Sequence, residues 1–111
     1  MANAFADYLR CFVEVLKSTE ATDGAGKAIT VDEGIARVHQ AMRKLIGTPN
    51  KVMFVGNGGS AGIAGHLAID FAKNGGVRSV TFNDASSLTC LGNDLGYDQV
   101  FAKQVEMQGL A

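Results

Sequence analysis

The stretch from Lys51 to Asp70, KVMFVGNGGSAGIAGHLAID, constrains the fold more than any other part of the chain. Four apolar residues (52–55) come first, a glycine-rich turn follows at 56–60 (GNGGS), and apolar residues then recur at helical spacing. This order predicts a buried strand, a tight loop and the start of a helix. Because the first N–H groups of such a helix point into the loop, the sequence favours an anion site there, above all for phosphate.

The composition limits the class of protein. The chain has 111 residues, enough for one modest domain, and its 47% hydrophobic and 19% charged content is typical of a globular core. A net charge of −1 leaves no broad basic surface for nucleic acid. We see no apolar run near the roughly 20 residues that a membrane helix needs, and no secretory signal at the N-terminus. Cys11 and Cys90 share no motif spacing, so we expect reduced, buried thiols in a cytoplasmic protein.

Two amphipathic helices are predicted ahead of the central strand. Residues 3–20 carry apolar side chains at three- and four-residue steps: Phe5, Tyr8, Leu9, Phe12, Val13 and Leu16. A loop is expected over 21–29. A capping box formed by Thr30 and Glu33 then starts a second helix, which runs to about Ile46 before Gly47.

The second helix has an apolar seam of the kind found in coiled coils. The seam comprises Val31, Ile35, Val38, Met42 and Leu45. We therefore interpret residues 1–48 as a helical pair through which copies of the chain form a homo-oligomer, a dimer or a tetramer. The alternative is that the two helices cover the sheet of their own chain.

The rest of the chain, 49–111, predicts one half of an α/β domain. Asn74-Gly75-Gly76 (residues 74–76) stops the helix, 77–82 forms a second strand, and Ser86 or Ser87 caps a short helix through Leu91. A loop over 92–96 and a last helix over 97–108 follow. Strands that alternate with helices predict a parallel sheet with flanking helices. Because only about two strands are visible, we expect either a fragment or a sheet completed by a partner.

Three interpretations of the glycine-rich loop remain open at this point. Gly56-x-Gly58-x-x-Ala61 meets the relaxed dinucleotide fingerprint, with Asp84 after the next strand as a candidate ribose ligand. Asn57 and Ser60 would instead add side-chain donors for a phosphosugar. The third possibility is a tight structural turn without a ligand.

One pair of residues on the following helix can carry chemistry. His66 and Asp70 are four residues apart and therefore lie on the same side of the helix. An imidazole and a carboxylate at this spacing can bind one metal ion or exchange a proton. A simple hydrogen-bonded pair is the alternative, because no further metal ligands are evident.

Two motifs together resemble the sugar isomerase (SIS) domain family, and phosphoheptose isomerases most closely. They are VGNGGSA over 55–61, followed by His66, and SLTCLGNDLGYDQVF over 87–101. The similarity runs from about Lys51 to Gly109, and the two preceding helices match the N-terminal helical pair of the family. The resemblance implies a larger parallel sheet with flanking helices, of which this chain holds the N-terminal half.

The resemblance also implies an activity and a set of site residues. Phosphoheptose isomerases convert sedoheptulose 7-phosphate to a heptose 7-phosphate for lipopolysaccharide or surface-glycan precursors. The family pattern places substrate at Asn57, Gly58, Gly59 and Ser60, and also at Asn93 and Asp94, which are reached from a neighbouring loop or subunit. His66 falls on a zinc-ligand position, so zinc is the expected cofactor and no nucleotide cofactor is expected.

Two departures from the family pattern bear on catalysis. Asp70 occupies a position where the isomerases have a glutamate that acts as zinc ligand and base, and aspartate is one methylene shorter. The second half of the family's site, with its phosphate loop, does not appear in residues 1–111. We therefore expect this segment alone to be inactive and a longer protein to be an isomerase with Asp70 and His66 as catalytic groups. The alternative is a SIS module that senses a phosphosugar or binds a protein partner.

Overall fold

The computed structural model describes residues 3–109. Its elements in chain order are α1 (Ala4–Lys17), β1 (Ala21–Thr22), β2 (Ala28–Ile29), α2 (Val31–Arg43), β3 (Val52–Phe54), α3 (Gly59–Lys73), β4 (Ser79–Thr81), α4 (Ala85–Leu95), a 3-10 turn (Tyr97–Gln99) and α5 (Ala102–Gln108). The α/β class is as predicted. The chain divides after Gln40 into two compact units, which are described separately. The domain boundaries drawn from the sequence stay a prediction.

The first unit confirms the N-terminal helix and corrects the segment that follows it. The Asn3 side chain caps α1 by accepting the Ala6 N–H at 3.4 Å. Residues 21–29, expected to be a loop, form an antiparallel hairpin of β1 and β2. The turn is held by Asp23 Oδ1, which accepts the N–H groups of Ala25 at 2.9 Å and Lys27 at 3.0 Å.

The start of α2 follows the predicted cap in part. The Glu33 N–H donates to Thr30 Oγ1 at 3.1 Å, as the capping box requires. The reciprocal bond is absent among the described residues, because the Glu33 carboxylate instead accepts from Arg37 Nη2 at 2.6 Å. The helix ends at Arg43, earlier than predicted, and Gly47 takes a positive φ of 76° in the turn beyond it.

The second unit is built on two parallel strands. Val52 of β3 pairs with Ser79 of β4, and the register continues to Phe54 and Thr81. Helix α3 packs on both strands, and the Ser79 hydroxyl donates to the Ala68 carbonyl of that helix at 2.6 Å. The buried apolar core comprises Ala64, Ala68, Val77, Phe82 and Val100.

The end of the second unit differs from the prediction in three ways. Asp84 caps α4, in place of Ser86 or Ser87, and the helix continues to Leu95 through the segment expected to be a loop. The predicted last helix is a 3-10 turn followed by α5. The extended part of α4 packs against the 3-10 turn that follows it. Gly92 lies beside Val100, which is buried at 1% exposure.

Two further sequence expectations are tested by the fold. Cys11 and Cys90 are both exposed, so the prediction of buried thiols was wrong. They lie on α1 and α4, where the other described residues leave them accessible. Among residues 3–109, no helix combines the length and the apolar character needed to cross a membrane.

Candidate functional site: the glycine-rich loop ahead of α3

The loop between β3 and α3 is closed very tightly at Gly56. This residue is buried, and a Cβ there would lie 2.2 Å from the Ser60 carbonyl oxygen and 2.9 Å from the Ala61 nitrogen. Its φ is not positive, so the requirement for glycine comes from the close approach of two backbone segments. The tight closure brings the strand end directly against the first turn of α3.

The residues that follow expose polar groups at the start of α3. Gly58 precedes the helix with a φ of 59° and offers no side-chain cap. Ser60 N–H turns back to the Asn57 carbonyl at 3.2 Å, whereas the Gly59 N–H donates to no acceptor within residues 3–109. Gly58, Gly59 and Ser60 are all exposed. The loop therefore presents the free Gly59 N–H together with the positive end of a 15-residue helix.

Asn57 connects this loop to a distant part of the chain. Its Oδ1 accepts the Tyr97 hydroxyl at 2.7 Å and the Gly58 N–H at 3.0 Å. Tyr97 lies 40 residues further along, directly after Gly96, whose φ is 94°. The hydrogen bond thus joins the two sequence motifs that carried the family resemblance.

Asn93 and Asp94, the other predicted substrate ligands, lie on the last turn of α4 and not on a loop. Asn93 Nδ2 donates to Asp94 Oδ1 at 2.9 Å, and Cys90 Sγ donates to Asp94 Oδ2 at 3.5 Å. The Asp94 carboxylate raises the pKa of the Cys90 thiol, through the hydrogen bond first and its charge second. Asn93 and Asp94 are both exposed. The residue of this motif that contacts the glycine-rich loop is Tyr97.

His66 and Asp70 form the pair that their spacing predicts. His66 Nε2 lies 3.2 Å from Asp70 Oδ2, and the side chains are 79% and 41% exposed. Asp70 Oδ1 also accepts from Asn74 Nδ2 at 3.4 Å. Within residues 3–109, no three His, Cys, Asp or Glu side chains gather as a metal site would require. The pair is an accessible nitrogen and oxygen donor set, which is two of the donors that a metal site would need.

Two site residues were missed from the sequence. Tyr97 was noted in the second motif and at the start of the last helix but was given no role in the site, although its hydroxyl reaches Asn57. Asn83 directly follows the predicted strand 77–82; its Nδ2 donates to the Ala61 carbonyl at 2.6 Å, and its buried Oδ1 has no partner within the described residues. No local pattern predicts either contact, because both join separate elements of the chain.

Asp84, the candidate ribose ligand of the dinucleotide interpretation, is the N-cap of α4 in the structure. Asp84 Oδ1 accepts the Ser87 N–H at 2.8 Å and the Ser87 hydroxyl at 2.9 Å. These bonds lower the pKa of Asp84, with the backbone N–H as the larger cause. A carboxylate that caps α4 in this way is already used structurally.

Comparison with known proteins finds phosphoheptose isomerases among the relatives of this chain. No family model matches the chain. It is 34% identical to phosphoheptose isomerase from Vibrio vulnificus over 82% of this chain and 52% of that protein. It is 37% identical to the Vibrio cholerae phosphoheptose isomerase over 82% of this chain and 52% of that one.

A solved structure agrees with these relatives. Phosphoheptose isomerase GmhA from Neisseria gonorrhoeae superposes with a TM-score of 0.69 and 32% identity, over 99% of this chain and 53% of that one. The chain spans about half the length of these relatives, in agreement with the expectation that it corresponds to one half of them. The chain is therefore homologous to phosphoheptose isomerases across about half of their length.

Proposed function

We propose that the protein binds a sugar phosphate at the loop 56–60 and, at full length, interconverts sedoheptulose 7-phosphate and an aldose heptose 7-phosphate. One observation carries the proposal: the side chain of Asn57 is held by Tyr97 beside the free Gly59 N–H at the start of α3. A sugar phosphate offers hydroxyl oxygens and an anion, which suit an amide donor and a helix N-terminus respectively. The resemblance to phosphoheptose isomerases supports the same ligand.

The residues divide into two roles. Asn57, Gly58, Gly59 and Ser60 bind substrate from the loop. Asn93 and Asp94 bind sugar hydroxyls from the exposed end of α4. An incoming hydroxyl would compete with the hydrogen bond that Asn93 Nδ2 donates to Asp94 Oδ1.

The reaction itself needs a base and an acid. A base takes the proton from the carbon beside the carbonyl, an enediol forms, and an acid returns a proton at the neighbouring carbon. We assign the base to Asp70 and the acid to His66, which lie 3.2 Å apart and are accessible from solvent. Zinc, when bound, would polarise the carbonyl oxygen. His66 and Asp70 fit two positions of a zinc site, and the remaining ligands would come from outside residues 3–109.

A second function is favoured by one observation. Asp70 already accepts from Asn74 and pairs with His66 on its own helix, and it is shorter than the glutamate that the family pattern implies. A carboxylate held along α3 reaches less far toward a substrate carbon. The competing proposal is therefore a module that binds a phosphosugar without converting it, as a sensor or as a protein-binding element.

The first unit supports a homo-oligomer. Helix α1 exposes its apolar stripe, with Phe5 70%, Tyr8 64% and Phe12 51% accessible. Exposed aromatic side chains in a row are typical of protein–protein contacts. We propose that a second copy of the chain covers this stripe. We also propose a cytoplasmic location, where the free thiols of Cys11 and Cys90 stay reduced, and no nucleotide cofactor.

The test is turnover by the full-length protein. Incubation with sedoheptulose 7-phosphate and zinc should yield an aldose phosphate detectable by NMR. Asp70→Asn should reduce the rate by about 10²- to 10⁴-fold, the usual contribution of a general base, whereas the exposed Asp32→Asn on α2 serves as a matched control. Thermal stabilisation by the sugar phosphate without turnover would favour the sensor. Stabilisation by NAD and not by the sugar phosphate would overturn both proposals.

A further inference from the structure

The orientation of the Asn57 side chain is defined by its hydrogen bonds. The same atom lies 3.0 Å from the Gly58 backbone nitrogen and 2.7 Å from the Tyr97 hydroxyl. A backbone N–H can only donate, so this atom must be the amide oxygen, and the Tyr97 hydroxyl must therefore donate as well. Both acceptor positions of the oxygen are then used.

The amide nitrogen of Asn57 is consequently turned away from this pair of donors. Within residues 3–109 the Nδ2 group donates to no acceptor, and the residue is exposed. An amide that rotated by 180° would bring its NH2 against the Gly58 N–H and lose that bond, while the Tyr97 hydroxyl would have to accept where it now donates. The two donors thus hold Asn57 with its own donor toward the outside of the loop.

The position of Tyr97 is set by the residues on either side of it in the chain. Gly96 turns the chain with a φ of 94°, and a Cβ there would lie 2.9 Å from Asp98 Oδ1. Three residues beyond Tyr97, Val100 anchors the segment at 1% exposure. Tyr97 is 65% exposed. Its ring therefore contributes little to the core, whereas its hydroxyl reaches Asn57.

We propose that Tyr97 is a positioning residue for ligand binding: its hydroxyl fixes the Asn57 amide so that Nδ2 donates to a sugar hydroxyl or phosphate oxygen. The inference rests on the proposed function, because it assigns Tyr97 to the same site. It also accounts for the spacing within the second motif, residues 87–101. Asn93 and Asp94 lie on α4, and the turn at Gly96 then brings Tyr97 to the glycine-rich loop.

The test is a double-mutant cycle on the full-length protein, with sedoheptulose 7-phosphate titrated by calorimetry. Tyr97→Phe removes only the hydroxyl and should weaken binding about 3- to 10-fold, the range expected for the loss of one oriented hydrogen bond. In an Asn57→Ala background the same substitution should have no further effect, because Tyr97 acts through Asn57. Tyr8→Phe, an equally exposed tyrosine on α1, should leave binding unchanged.

A ligand-free measurement separates this inference from the proposed function. The side-chain amide resonances of Asn57, assigned by their loss in Asn57→Ala, should shift in Tyr97→Phe and not in Tyr8→Phe. If the wild-type protein binds the sugar and Tyr97→Phe binds equally well, the positioning role is refuted and the proposed function survives. If Tyr97→Phe weakens binding equally in the Asn57→Ala background, Tyr97 acts by another route and the inference is again refuted. If the wild-type protein binds no sugar phosphate, the proposed function fails and this inference with it.

Discussion

Substitution of Gly56 by alanine tests the geometry of the loop most sharply. The added Cβ would lie 2.2 Å from the Ser60 carbonyl oxygen, 2.5 Å from the Ser60 carbonyl carbon and 2.9 Å from the Ala61 nitrogen. Ordinary contacts begin at 3.4 Å, so the strand end and the first turn of α3 must separate by about 1 Å. All three atoms are backbone, and no rotamer change can relieve the contact.

The cost follows from this displacement. Forcing one extra carbon into a packed site typically costs about 1–3 kcal/mol, and backbone contacts lie at the upper end. We expect Gly56→Ala to lower the free energy of unfolding by about 3 kcal/mol, which corresponds to a fall in Tm of about 12 °C or more for a unit of this size. The measurement is urea denaturation followed by circular dichroism, with thermal melting as a second readout.

The matched control lies six residues further along. Gly62 is inside α3, and a Cβ there meets no atom within 4 Å. Gly62→Ala should therefore be neutral or stabilising by about 0.5–1 kcal/mol, since alanine favours helix over glycine. If Gly56→Ala proved as stable as Gly62→Ala, the close approach described for the loop would be wrong.

Three further predictions concern the cap of α4, the metal and the oligomer. Because the pKa of Asp84 is lowered from its ordinary 3.8, its carboxylate stabilises the folded state above that pH. The difference in free energy of unfolding between wild type and Asp84→Ala, measured in urea, should therefore shrink as pH falls below about 3.8. A difference that is constant with pH would contradict the cap. His66→Ala should reduce the zinc retained after dialysis, measured by mass spectrometry, relative to the exposed His39→Ala, whereas equal retention would remove His66 from the metal site. Phe12→Ala should lower the molar mass in light scattering while Cys11→Ala, its exposed neighbour on α1, should not; an unchanged mass for both would refute the proposed use of the α1 stripe.

The sequence predicted the elements whose signals are local. The apolar run before the glycines gave β3, although the strand is shorter than the run, and the glycines at 75 and 76 marked the end of α3. His66 and Asp70 meet because a helix brings residues four apart together, so their contact followed from spacing alone.

Other features depend on packing between separate elements and could not be read locally. Gly92, Asn93 and Asp94 favour a turn by propensity, yet α4 continues through them to Leu95 and packs against the 3-10 turn that follows. The contact of Asn57 with Tyr97 spans 40 residues. The hairpin over 21–29 did have a local signal, since Asp23 precedes a glycine and its carboxylate can accept the following N–H groups.

The most direct test of the central claim is a map of where sedoheptulose 7-phosphate binds. We predict that, in amide NMR spectra of the full-length protein, the ligand shifts the backbone resonances of Gly58, Gly59 and Ser60 and the side-chain resonances of Asn57 in a saturable manner. Shifts confined to other parts of the protein, or no shifts at millimolar sugar phosphate, would contradict the assignment of the loop ahead of α3 as the sugar-phosphate site.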